Sequence, residues 1–153
     1  GVSVTGSLTA SLGVTKLIAS AASNVAAAVA GSIYNFSDVD GAVVTLPDSS
    51  SGGITGQTIE FVCTATATSN SHKIILASTS EKFIGAVAAL DADNDNVAVF
   101  YVPLTANKAI TMNGTTTGIT GSRIKVTNIA TNLWSVEGTI LHTGNTANPF
   151  TNS

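Results

Sequence analysis

The densest group of side chains capable of chemistry is the run DADNDN at residues 91–96, where three carboxylates, Asp91, Asp93 and Asp95, and two amides fall within six residues. Hard cations bind by gathering several oxygen ligands, so calcium is the chemistry this composition could serve. The run departs from an EF-hand loop: Asn96 stands where the sharp turn needs glycine, and the twelfth position from Asp91 is Val102 rather than glutamate. The expectation is a solvated turn between two strands, with a weak cation site completed by a neighbouring chain as the alternative. No metal is assigned.

A second group is rich in glycine. MNGTTTGITGSRIKV, residues 112–126, carries Gly114, Gly118 and Gly121 ahead of a single basic residue, Arg123, and then RIKV. A phosphate loop needs G-x-x-x-x-G-K-[ST], so that backbone amides and a lysine meet the phosphates; no lysine follows these glycines. A dinucleotide fingerprint would open a helix where this chain offers the strand-like RIKV. Asn113 and Gly114 both tolerate positive φ and together mark a tight turn, so the segment is expected to reverse the chain.

The remaining candidates do not converge. His72 and His142 stand seventy residues apart with no acid at an orienting spacing, and surface or inter-strand hydrogen bonding is expected of both. Cys63, the sole cysteine, alternates with Ile59 and Phe61 in IEFVCTATA and reads as a small buried apolar residue. Glu60, Glu81 and Glu137 lie in or beside strand-like runs without forming an evident acid–base pair. Asn35-Phe-Ser37 and Asn113-Gly-Thr115 match the glycosylation sequon, a pattern short enough to recur by chance. A non-enzymatic protein without a cofactor is the expectation.

Composition narrows the partners. Charged residues make up only 10% of the 153-residue chain, against about 25% in ordinary globular domains, while 44% are hydrophobic. Much of the surface must then be Ser, Thr, Asn, Gly and Ala, which suits close packing against other protein. With a formal net charge of −3 and six scattered basic residues, the chain lacks the electrostatic footprint of direct nucleic-acid binding. No stretch reaches the ~18 apolar residues of a membrane helix, so no membrane partner is expected.

The elements that must position these residues read as all-β. Residues 1–40, rich in Ala, Ser and Val, look like an N-terminal arm or adaptor. Strands are expected there in VSVT and GVTKLIAS, and a short helix in ASNVAAAVAG, residues 22–31, capped by Ser23 or Asn24 and ended by Gly31. From residue 41 to 153, β-branched and aromatic runs alternate with clusters of Gly, Asn, Asp, Ser and Pro about every ten residues, the spacing of an antiparallel β-sandwich or barrel, jelly-roll-like in outline. Strands are expected at 42–46, 58–66, 73–78, 82–87, 97–102, 109–112, 123–129 and 133–140. Ile124 and Val126 alternate with polar neighbours, as do Trp134 and Val136, so both runs are half-buried. VAVFYV, residues 97–102, is apolar on both faces, which fits a central strand or, preferably, one covered by a second chain.

The order of several pieces carries a resemblance. VVTLP ending in Pro47 is followed by a Gly52-Gly53 turn and TIEFVC, then ATSNSHKIILAS and KFIGAV. Next comes AITMNGTTTGITGSRIKVTNIATNLWSVEG, containing Asn113, Gly114, Gly118, Gly121, Trp134 and Gly138, and last TGNTANPF, with Pro149 and Phe150. In this order the chain resembles a family of small structural proteins from the virions of tailed bacteriophages, the head decoration or cement proteins. Two departures stand out: the family's glycine pair after the Thr run is here Gly118-Ile119, and residues 1–40 match no part of it.

The resemblance implies a β-rich homotrimer on the outer surface of the phage head, at threefold or quasi-threefold positions, bridging neighbouring major capsid proteins. The named residues would be its turn and core signature, and the N-terminal arm its contact with the lattice. Cementing needs area rather than catalytic groups, since burial at about 25 cal/mol per Å², multiplied by avidity, can hold a shell together. The alternative is a tail or fibre module that binds host surface glycans. It would want exposed aromatic rings in loops, whereas aromatics are 5% of the chain and fall mostly in strand-like runs.

Overall fold

The computed structural model describes residues 18–20, 24–93 and 98–152, and among these every regular element is a strand. In chain order they are β1 (Ile18–Ser20), β2 (Ile33–Phe36), β3 (Val43–Thr45), β4 (Thr58–Cys63), β5 (His72–Ile75), β6 (Lys82–Asp91), β7 (Ala98–Tyr101), β8 (Ala109–Met112), β9 (Arg123–Ala130), β10 (Leu133–His142) and β11 (Phe150–Thr151). They form a seven-stranded sheet in the order β1-β2-β4-β9-β10-β6-β7 and a four-stranded sheet in the order β11-β8-β5-β3. Both sheets are open at their edges, so neither closes into a barrel. None of these elements is a helix that could cross a membrane.

The expectation of purely antiparallel sheets is corrected. The first half of the chain winds between the two sheets: β1, β2 and β4 lie side by side in the larger sheet, while the Val25 bridge, β3 and β5 lie side by side in the smaller. Each strand is followed by one in the opposite sheet, so the next strand in its own sheet runs the same way, as in β-solenoids. The turn clusters about ten residues apart mark corners between sheets as well as hairpins, and composition does not distinguish the two. From β8 onward antiparallel pairing dominates, with β9 between β4 and β10. β10 then runs parallel to β6 over ten residue pairs, Leu133↔Lys82 to His142↔Asp91.

The helix expected at residues 22–31 is also corrected, for its described residues 24–31. This stretch docks along β3: the Val25 N–H donates to Val43 O at 2.8 Å, the Thr45 N–H to Val25 O at 2.9 Å, and the Ala28 N–H to Thr45 O at 2.7 Å. Alanine's helix propensity is a fraction of a kcal/mol per residue. Here the backbone groups pair with a strand instead, and Ala28 is buried. VSVT, residues 2–5, and the first part of GVTKLIAS lie outside the described residues, whereas β1 falls within the latter.

Alternation builds the interior. In β4 the pattern buries Ile59, Phe61 and Cys63, and in β9 it buries Ile124, Val126 and Asn128. All of these but Asn128 share one hydrophobic cluster with Val44, Ile74 and Ile110 of the smaller sheet and with Trp134. Residues 24–40 contribute to the same cluster through Ala28, Tyr34 and Phe36. Tyr34 and Phe36 each stack on Phe61, with ring centroids 5.8 Å apart. The strand β2, IYNF, went unexpected, as did β11.

Candidate functional site

The glycine-rich segment uses its amides within the fold. Gly114, Gly118 and Gly121 all have positive φ, at 91°, 84° and 98°. Their N–H groups donate to Thr117 O at 3.1 Å, Leu141 O at 2.9 Å and Cys63 O at 2.8 Å, and the Ile119 N–H also reaches Leu141 O at 3.0 Å. No glycine amide in this loop is therefore left to cradle an anion. Gly118 lies directly against β8, where an added Cβ would stand 2.2 Å from Met112 Cβ. The loop also receives the Thr143 N–H on Thr115 O at 2.7 Å and the Ala147 N–H on Thr116 O at 3.1 Å, which fastens the C-terminal tail to it.

The rest of the signature is spread along the molecule, with Trp134 at the opposite end of β10 from the glycine loop. Gly138 lets β10 approach β9, since a Cβ there would fall 2.3 Å from Arg123 O. Pro149 accepts the Thr111 N–H at 2.7 Å, and Phe150 pairs with Ile110 and packs toward Phe83 with ring centroids 6.4 Å apart. Asn113 is exposed and its Oδ1 accepts the Thr116 hydroxyl at 2.7 Å. Pro47 is half-buried where β3 leaves the smaller sheet.

The acidic run is divided. Asp91 ends β6, and its carboxylate accepts the Asp93 N–H at 3.3 Å, the geometry of a local turn. The hydrogen-bonded carboxylate of Asp91 pushes the pKa of Asp93 up, as expected where two acids crowd in solvent. Asp95 lies outside the described residues. Among the described residues, no group of three His, Cys, Asp or Glu side chains could hold a metal.

Both histidines prove buried, which corrects the expectation of surface positions; His72 bonds to other segments, His142 to the turn that follows it. His72 Nδ1 accepts the Ala42 N–H at 3.2 Å and Nε2 donates to Ala65 O at 2.9 Å, which fixes the neutral Nε2–H tautomer. Its ring stacks on Phe36 at 4.7 Å. His142 donates from Nδ1 to Gly144 O at 3.0 Å, and its Nε2 is buried without a partner. Burial pushes the Cys63 thiol up to about 12, and its Sγ sits 3.6 Å from Met112 Sδ, so it is no nucleophile at neutral pH.

Glu81, read in the sequence only as an acid beside a strand-like run, proves to be the centre of a buried hydrogen-bond cluster. Glu81 is fully buried, and its Oε1 receives the Ser49 N–H at 2.9 Å, the Ser49 hydroxyl at 2.6 Å and the Trp134 indole N–H at 3.2 Å. Its Oε2 receives the Ser78 N–H at 2.9 Å. Four donors and no acceptor meet the two oxygens, the set that an ionised carboxylate satisfies. Lys108 donates to the Glu81 carbonyl at 2.6 Å. A signal was present: Ser78-x-x-Glu81 has capping-box spacing, used here to close a turn rather than to start a helix.

Two surfaces face outward. The smaller sheet carries a polar groove of about 490 Å³ lined by Asn24, Ser69, Asn70, Ser71 and Lys73, and beside it a more apolar one of about 340 Å³ between Lys73 and Lys108. On the larger sheet, a charge ladder crosses β4, β9 and β10, where Arg123 pairs with Glu60 and Lys125 with Glu137. Glu137 raises the pKa of Lys125 by accepting its hydrogen bond. Beyond β10 charge is confined to Lys82 and Asp91 at the two ends of β6: between them Ile84 and Leu90 are exposed, as is Phe100 of β7, followed by Val102 and Leu104. Among the described residues β7 is the outermost strand of its sheet, not the central strand considered for VAVFYV.

Compared with protein-family models, with curated proteins and with solved structures, the chain matches none.

Proposed function

We propose that this protein is a non-enzymatic capsid decoration protein of a tailed bacteriophage, bound to the outer surface of the head and bridging major capsid proteins. In this reading the two mixed sheets pack face to face as a sandwich and the protein acts as a homotrimer. The observation that carries the reading is the apolar β6–β7 face with Phe100 outermost, on a chain with little charge elsewhere. Such a patch supports association with protein rather than turnover of a small substrate. The glycine loop, Trp134, Pro149 and Phe150 each make contacts within the fold, which supports treating them as a structural signature.

The polar groove beside Lys73 favours a second reading, a tail or fibre module. Its amides and hydroxyls suit sugar hydroxyls, though no aromatic ring lines it for stacking. Co-sedimentation separates the two readings. Purified protein is spun with capsids lacking it and, in parallel, with host envelope fragments. Saturable pelleting with capsids alone is expected; pelleting with envelopes alone supports the fibre module and removes the decoration reading.

A further inference from the structure

We propose that the β6–β7 face is where copies of this chain meet, with Phe100 beside the symmetry axis. Phe100 is 72% exposed, Val102 59%, Leu104 66%, Ile84 42% and Leu90 36%. Taking roughly 150–250 Å² as the reach of a large apolar side chain, these exposures amount to on the order of 500 Å² per copy, as large as the biggest patch a monomer usually shows. Two such patches apposed hide about 1,000 Å², the lower bound of a specific protein interface.

The strand geometry places Phe100, Leu90 and Ile84 together, and Val102 and Leu104 follow β7 directly in the chain. β6 and β7 are antiparallel with Ala88 opposite Phe100 and Leu90 opposite Ala98, so Phe100, Ala88, Leu90 and, by alternation, Ile84 share the outer face. The intervening positions turn inward: Val87 and Ala89 are buried and the Tyr101 hydroxyl bonds to Thr146. Among the described residues no strand lies beyond β7.

The chemistry of the patch selects a second copy as its occupant. No charged residue lies between Lys82 and Asp91 on β6, or from Ala98 to Leu104. A charged partner would find nothing there to pair with, whereas identical neutral patches meet about a rotation axis without like-charge repulsion. Edge strands that must stay single commonly carry lysine, an inward charge or a bulge; β7 carries none of the charged devices. Another β7 supplies both the apolar cover and a matching row of backbone donors and acceptors.

The proposal rests on the homotrimer of the decoration reading, and the experiment uses purified protein without capsids, so its failure is distinguishable from a failure to bind capsids. Sedimentation velocity should give a mass two or three times 15.3 kDa. Phe100→Asp should lower that mass two- or three-fold while circular dichroism stays unchanged, and Val39→Asp, at an exposed position off this face, should leave it as it is. Should Phe100→Asp fail to fold, hydrogen exchange of the wild type provides the second measurement: amides 98–101 should gain protection as concentration rises. A wild type that remains monomeric at every concentration, or a Phe100→Asp mass equal to the wild type's, overturns the proposal. So does concentration-independent exchange in β7.

Discussion

Replacing Glu81 by alanine should be among the most destabilising single changes in this protein. The substitution leaves the Trp134 indole N–H, the Ser49 N–H and hydroxyl, and the Ser78 N–H without their acceptor, and Ser49 and Trp134 are both buried. Each hydrogen bond to a charged group contributes about 1.5–3 kcal/mol, but the four share one carboxylate and do not add, so a loss of about 3–5 kcal/mol is expected. At this chain length 1 kcal/mol moves the melting temperature by about 2–4 °C, which puts the shift at roughly 6–20 °C. Glu81→Gln keeps one carbonyl acceptor but turns an NH2 group toward one of the donors, and should lose about 1–3 kcal/mol. Urea unfolding followed by fluorescence is well suited as the assay, because Trp134 is the sole tryptophan and one of the four donors. A Glu81→Ala midpoint within error of the wild type, at unchanged slope, would refute the claim that this carboxylate ties the loops at Ser49 and Ser78 to β10.

Other expectations follow from single contacts. Gly118→Ala, at φ 84° and with its Cβ 2.2 Å from Met112 Cβ, should cost more than the ~1–3 kcal/mol of backbone strain alone, whereas Gly56→Ala, at φ 87° in open space, should stay within that range; thermal melts of the two variants check this. Cys63 should resist Ellman's reagent in the native protein and react at once in denaturant; rapid native labelling would contradict its burial. Because the folded thiol is raised to about 12, the native state holds that proton more tightly than the unfolded chain. The stabilisation is complete below the unfolded value near 9 and declines as pH rises toward 12, so alkaline unfolding of Cys63→Ala should show a shallower pH slope across that window.

Much of the β architecture was legible because alternation is local. TIEFVC, RIKVTNI and LWSVEGTI each show which side is buried, and the structure buries Phe61, Ile124 and Trp134 accordingly. β2 was hidden although IYNF alternates, since it is four residues long and follows an alanine-rich run whose propensity points to helix. Strand direction was not legible, because a turn cluster looks the same whether it closes a hairpin or carries the chain to the other sheet. The Glu81 site was out of reach for a related reason: its donors come from residues 49, 78 and 134, and only Ser78 is near it in sequence. Phe100 was legible as part of an unusually apolar strand, but only the sheet order places it at an edge.

The most direct test of the decoration reading is to image capsids that lack this protein before and after adding it. The account predicts new density of uniform size at the threefold or quasi-threefold positions of the outer shell. Density confined to the tail, or none at saturating protein, would contradict it.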